Sequence, residues 1–309
     1  MPSGGIGRTS LSDFPVMIAI AGGLGAAVSW AVATLCSSRS SRMIGASSVL
    51  GWVMIVGFAV SIVPALAAAP SGPDLDAGAV VGLVVIGLAY SVGLLLAYLA
   101  LSVGRVSIVA PITSTEGAMT AVISVALGDP IGAPRAIILA VIAMGIVLAA
   151  FERSADPAPE AASGSRTHDP SKNGRTVLLA VSAAVAFSIG LVASARLGAS
   201  LPVAWIVAAP RAVGIAVIAM PLLFRGRLRL SRQAVPLVAV SGVLEAAGTV
   251  LFVTGAQHGV ATTAVLASQF AGIAAVVAFF LFGERLARIQ VAGIVIIAIG
   301  VALLAVVQA

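Results

Sequence analysis

Ten apolar stretches, each about 20 residues long, follow one another through this chain with little between them. An α-helix rises about 1.5 Å per residue, so each stretch is long enough to cross a hydrocarbon core about 30 Å thick. The pattern predicts an all-α integral membrane protein of ten transmembrane helices. They are expected at 15–36, 46–69, 77–101, 104–127, 132–151, 176–197, 201–224, 234–257, 259–282 and 286–308. Most connections are short, so neighbouring helices run antiparallel.

Composition agrees. Hydrophobic residues make up 60% of the chain and charged residues 9%, against about 25% charged in a soluble domain. The net charge of +6 suggests nucleic acid only if the chain is soluble. Here the basic residues sit in short loops beside spans, where orientation rules place them, and no nucleic-acid partner is expected. The single cysteine, Cys36, can form no internal disulfide, and neither His168 nor His258 belongs to a metal-ligand spacing. No phosphate loop or nucleophile elbow is present. No metal, no cofactor and no enzymatic activity are expected. The first apolar stretch is too long for a signal-peptide core and is read as a span.

One segment differs from the rest. Glu152 to Arg175 is rich in Pro, Ser, Ala and charge without periodicity, and reads as a flexible linker. It divides the chain into a five-helix repeat at 1–151 and another at 176–309. The two halves align: Ala110 with Ala264 and Ser114 with Ser268 at one offset, then Gly128-Asp129 with Gly283-Glu284 one residue later. The first helices also correspond, Ala26-Ala-Val-Ser-Trp30 with Ala183-Ala-Val-Ala-Phe187, and Tyr90 aligns with Glu245. Because each repeat has an odd number of helices, the second copy enters the membrane from the opposite side. The expected architecture is two inverted repeats, with a substrate site between them near the midplane.

Three charged residues fall deep inside predicted spans: Glu116, Arg211 and Glu245. Placing Arg or Asp at a helix centre costs about 2.5–3.5 kcal/mol on insertion scales. Such residues usually face a cavity or one another. One alternative is a structural ion pair between Arg211 and one carboxylate. Either way one glutamate is left over, and a carboxyl without a partner in such surroundings suits proton exchange. Ser114 precedes Glu116, and Ser268 and Gln269 occupy the matching turn of the second repeat. With Tyr90 and Trp30 they complete the candidate substrate-binding or coupling set: Glu116, Glu245, Arg211, Gln269, Tyr90, Trp30, Ser114 and Ser268. The competing reading of the hydroxyls is that they bond back to their own helices.

At Trp30, Ala100-Leu101, Ala110-Pro111 and the Gly283-Glu284-Arg285 junction, the chain resembles the drug/metabolite transporter superfamily, in particular its EamA-type ten-helix members. The resemblance covers nearly the whole chain. It implies transport of a small molecule and cytoplasmic termini. Asp129 replaces a usual glutamate, Val265 stands opposite Pro111, and Glu116 occupies a position that such proteins commonly leave uncharged.

Orientation yields two opposed expectations. Nearly all Lys and Arg lie at the odd-numbered connections, and outside them stand only Arg8, Arg135, Arg196 and, within a span, Arg211. The positive-inside rule then puts both termini outside, whereas the resemblance puts them inside. The charge count is carried forward because it is read from this chain.

The functional expectation is a secondary transporter of a bacterial inner membrane, exporting a small polar metabolite resembling an amino acid by proton-coupled alternating access. Arg211 would meet a carboxylate, and Glu116 or Glu245 an ammonium group or a proton. The alternatives are an exporter of small organic cations that uses the carboxylates alone, and a non-transporting membrane scaffold. The partners expected are a small molecule, protons and the bilayer, with a monomer as one possible oligomeric state.

Overall fold

The computed structural model describes residues 13–68, 75–104, 106–128, 132–150 and 170–270, with single helical positions between 272 and 303. The chain is all-α. Its elements are α1 (Asp13–Ile44), α2 (Ala46–Ala68), α3 (Ala77–Val103), α4 (Val106–Thr113), α5 (Thr115–Ala126), α6 (Ala133–Ala150), α7 (Pro170–Leu197), α8 (Val203–Gly214), α9 (Met220–Phe224), α10 (Val235–Ala256) and α11 (Val260–Ala267). Among the described residues six helical segments are long and apolar enough to span a membrane: Pro15–Ile44, Ala46–Ala67, Ala77–Val103, Gly174–Leu197, Val203–Phe224 and Val235–Ala256. Helix is the structure this composition demands, because a segment in lipid must satisfy its backbone polar groups internally.

Local chemistry marks the ends. Gly45, with φ +87°, turns the chain between α1 and α2 within one residue. Asp76 caps α3 by accepting from the Ala79 amide at 2.6 Å. Pro210 lies inside α8, and a π-turn at Ile215–Ala219 joins α8 to α9, so this span carries an irregular turn below its proline.

Two predicted helices are interrupted, and other ends move, α1 running on to Ile44 where the sequence expectation ended at 36. The helix predicted at 104–127 is interrupted at Ser114, giving α4 and α5, and the helix predicted from 259 is interrupted at Ser268 and Gln269. Both interruptions fall at the positions that align between the repeats. The helix predicted from 176 begins at Pro170, inside the segment that reads as a linker. The rest of that segment, Asp129 and the Gly283-Glu284-Arg285 junction lie outside the described residues.

Packing carries the signature of the duplication. The first helix of the first repeat, α1, packs on the third helix of the second, α10, and reciprocally α3 packs on α7. The second helices, α2 and α8, meet each other, as do the interrupted helices through α5 and α11. Matched contacts recur in detail. A Cβ on Gly87 of α3 would lie 2.6 Å from Val213 of α8, and one on Gly242 of α10 would lie 2.7 Å from Val56 of α2. Gly87 aligns with Gly242 and Val56 with Val213, so the same close approach is built twice. Small residues admit this because helices in lipid associate by close packing, with no hydrophobic drive between them. The opposite faces, with Val81, Val122 and Leu178 exposed, present aliphatic side chains outward.

Candidate functional site

The repeats frame a partly open cavity, whose empty space, open solvent included, is about 590 Å³. Four pairs of aligned residues line it: Trp30 with Phe187, Thr34 with Leu191, Tyr90 with Glu245, and Glu116 with Phe270. The cavity therefore lies where the two repeats face each other. Its chemistry is unequal, because the Thr34 hydroxyl and the Glu116 carboxyl stand opposite Leu191 and Phe270.

The cavity is also one-sided. Leu94, Ala97, Tyr98, Leu101, Val109, Ala110 and Thr113 extend its wall along α3 and α4. Their counterparts on α10 and α11 are not in the wall, because α1 packs over that end. Trp30 stacks on Phe252 with ring centroids 6.0 Å apart, and the Thr263 hydroxyl donates to the Ala19 carbonyl at 3.2 Å. A Cβ on Gly22 would lie 2.8 Å from the Gly255 Cα, so backbones nearly touch there. The cavity runs toward the α3–α4 junction, on the face where Arg42 donates to the Gly104 carbonyl at 3.0 Å.

Glu245 is held. The Tyr90 hydroxyl donates to its Oε2 atom, and the Arg211 guanidinium lies over the Tyr90 ring, 5.5 Å from its centroid. Arg211, 2% exposed, donates from Nη1 to the Val207 carbonyl at 2.7 Å and from Nη2 to the Thr249 hydroxyl at 3.1 Å. The Thr249 hydroxyl donates in turn to the Glu245 carbonyl at 2.7 Å. Gly57 makes room for this, since a Cβ there would lie 2.6 Å from Arg211 Nε. The same niche is built on the other side, where a Cβ on Gly214 would lie 2.6 Å from the sulfur of Met54, the residue that aligns with Arg211. Arg211 does not line the cavity, and no ion pair joins it to Glu116 or Glu245, all three being described residues.

Glu116 is placed differently. It lies within the first turn of α5, directly after the interruption, and the Ser188 hydroxyl of α7 donates to its carbonyl at 3.1 Å. Its carboxyl lines the cavity and has no hydrogen-bond partner among the described residues. Ser114, Ser268 and Gln269 sit behind it at the interruptions, outside the cavity wall. Ser268 donates to the Val265 carbonyl at 2.7 Å, and Gln269 Nε2 to the same carbonyl at 2.9 Å. The Gln269 Oε1 atom is buried without a partner among the described residues. Gly117 lets the interrupted helices cross, since a Cβ there would meet Ser268 Cβ at 2.5 Å and the Ala264 carbonyl.

Of the eight candidates, Trp30, Tyr90, Glu116 and Glu245 share the cavity wall. Arg211 stands one side chain behind it, and Ser114, Ser268 and Gln269 support the helix crossing. Sequence reasoning missed Thr34, Tyr98, Phe187 and Phe270. The repeat alignment held the signal for Phe187 and Phe270, as partners of Trp30 and Glu116. Among the described residues no group of three or more His, Cys, Asp or Glu side chains converges on a metal-sized site.

The model of the EamA-like transporter family matches residues 17–151 and again residues 174–306. The chain belongs to the EamA-like transporter family. The two matches are the two repeats, and they make the protein a multi-pass membrane protein of a transporter family that acts on small molecules. A crystal structure of another protein superposes with a TM-score of 0.70 over 92% of this chain and 95% of that one, at 17% identity. At that identity the likeness is one of fold. No curated protein matches the chain in sequence.

Proposed function

We propose that this EamA-family protein is a secondary transporter of small organic cations, loaded from the face toward which its cavity runs. The observation that carries this reading is the composition of the wall: two carboxyls, Glu116 and Glu245, among the aromatic rings of Trp30, Tyr90, Tyr98, Phe187 and Phe270, with no basic side chain among the described lining residues. Carboxylates and aromatic faces both attract a cation, the rings by about 0.5–2 kcal/mol each. Glu245, fixed by Tyr90, acts as the standing counter-charge, and Glu116 as the group that exchanges a proton as substrate enters or leaves. Nothing among the described residues ties the Glu116 carboxyl to one hydrogen-bonding role.

Inverted repeats around a cavity that extends toward one side support alternating access, in which the two halves exchange packing roles. On the charge count, the face toward which the cavity extends is the cytoplasmic one, which supports loading from inside and hence export across a bacterial inner membrane.

The second reading, an amino-acid-like zwitterion, is favoured by the nearness of Arg211, which lies over the ring of the same Tyr90 that bonds Glu245. It requires the Tyr90 ring to move aside so that Arg211 reaches a carboxylate. Binding to the detergent-purified protein separates the two, with tryptophan fluorescence as the readout. Aryl and alkyl ammonium ions that quench Trp30, with no response to amino acids, support the cation reading. A response to amino acids alone overturns it.

A further inference from the structure

The segment between α9 and α10 carries Arg225, Arg227, Arg229 and Arg232, all of them exposed. It is not a loose loop. The Ser48 hydroxyl donates to the Arg227 carbonyl at 3.4 Å and accepts from the Arg229 amide at 3.2 Å. The Trp52 indole donates to the Arg229 carbonyl at 3.0 Å. Ser48 and Trp52 lie one turn apart on α2, and between them Gly51 receives Leu228, whose Cδ1 would stand 2.9 Å from a Cβ there. The backbone of 227–229 is thus pinned along α2, with Leu228 turned in and the exposed side chains of Arg227 and Arg229 to either side of it. None of the four guanidinium groups has a hydrogen bond or ion pair with a described residue.

The pinned segment starts where the span ends. Phe224 is 80% exposed and Leu223 62% exposed, and a span end of this kind lies at the boundary between hydrocarbon and headgroups. Four unpaired guanidinium groups at that depth meet one abundant anion, the phosphate of a lipid headgroup, whose acyl chains would run along Leu223 and Phe224. Guanidinium matches phosphate oxygens with two parallel hydrogen bonds. Because the backbone is already fixed, binding need order only the side chains.

We infer that the Arg225–Arg232 segment is a binding site for anionic phospholipid headgroups of the leaflet on this face. This holds whatever substrate the cavity carries. The test uses the full chain in neutral detergent, with phosphatidylglycerol, phosphatidylcholine or inorganic phosphate added, and reads lipid retention by native mass spectrometry together with the melting temperature. Phosphatidylglycerol is expected to be retained and to raise the melting temperature, and the other two to do neither. Each arginine contributes about fivefold in affinity, so R227Q/R229Q weakens phosphatidylglycerol binding by about 25-fold. R227K/R229K keeps the charge and retains most of it. Equal retention of phosphatidylcholine, an unchanged affinity in R227Q/R229Q, or the same stabilisation by phosphate alone overturns the proposal. Should R227Q/R229Q melt early even in phosphatidylcholine, wild-type protein at low and high salt decides: phosphatidylglycerol binding that ignores salt contradicts a headgroup site built on exposed charge.

Discussion

The Tyr90 hydroxyl donates to the Glu245 carboxylate, and these two residues occupy the same position in the two repeats, 155 residues apart. In an arrangement of two identical repeats the same side chain would face itself across that contact. Here one copy supplies a donor and the other an acceptor, so duplication followed by divergence has produced a hydrogen bond between the repeats. Arg211 backs the pair from behind the Tyr90 ring, at the position where the first repeat carries Met54. The charges of the second repeat are thus met by uncharged partners in the first.

Removing the donor exposes how much this contact contributes. Tyr90→Phe is expected to destabilise the protein by about 1–2 kcal/mol, the upper range for a hydrogen bond between membrane helices. In a Glu245→Gln background the cost falls, because the partner no longer carries charge. Thermal melts of the two single variants and the double variant in one detergent give the coupling. Additive effects would mean that the contact is not made.

Arg211→Met installs the residue of the aligned position. If Arg211 serves as a fixed charge behind Tyr90, cation binding survives within a few-fold, whereas Glu245→Gln weakens it at least tenfold, about 1.4 kcal/mol or more. Binding isotherms for one ammonium ligand across the three proteins provide the comparison. Loss of binding in Arg211→Met alone would return the zwitterion model to first place.

The glycines of the closed end have no slack. A Cβ on Gly22 would lie 2.6 Å from the Leu251 carbonyl oxygen and 2.8 Å from the Gly255 Cα, both backbone atoms of α10 that cannot rotate away. Gly22→Ala should therefore cost about 1–3 kcal/mol by overpacking. Gly174 in α7 has nothing within 4 Å of its Cβ site, and Gly174→Ala should stabilise by about 0.5–1 kcal/mol through helix propensity. Melting temperatures that move in opposite directions bear this out, and a neutral Gly22→Ala contradicts the packing.

Spans, duplication and the burial of Glu116, Arg211 and Glu245 were legible in the sequence, because hydropathy and misplaced charge are strong one-dimensional signals. The interruptions at Ser114 and Ser268 were not, since a single serine within a span leaves the apolar pattern unchanged. The start of α7 at Pro170 was hidden because proline, a breaker inside a helix, is well suited to its first turn. Phe187 and Phe270 look like any lipid-facing aromatic until the alignment sets them opposite Trp30 and Glu116. That Arg211 turns toward Thr249 and Val207 depends on the vacant Cβ of Gly57, a contact 154 residues away that no local pattern records.

A cation held between Glu116 and Glu245 must also cross the membrane, and flux is the measurement that decides whether it does. Purified protein in sealed proteoliposomes, with an imposed proton gradient, would be offered radiolabelled organic cations and amino acids in parallel. Gradient-driven flux of an organic cation is expected, and Glu116→Gln and Glu245→Gln are each expected to abolish it while the protein remains folded. Cation flux that survives both substitutions, or flux of amino acids alone, would contradict the cation reading.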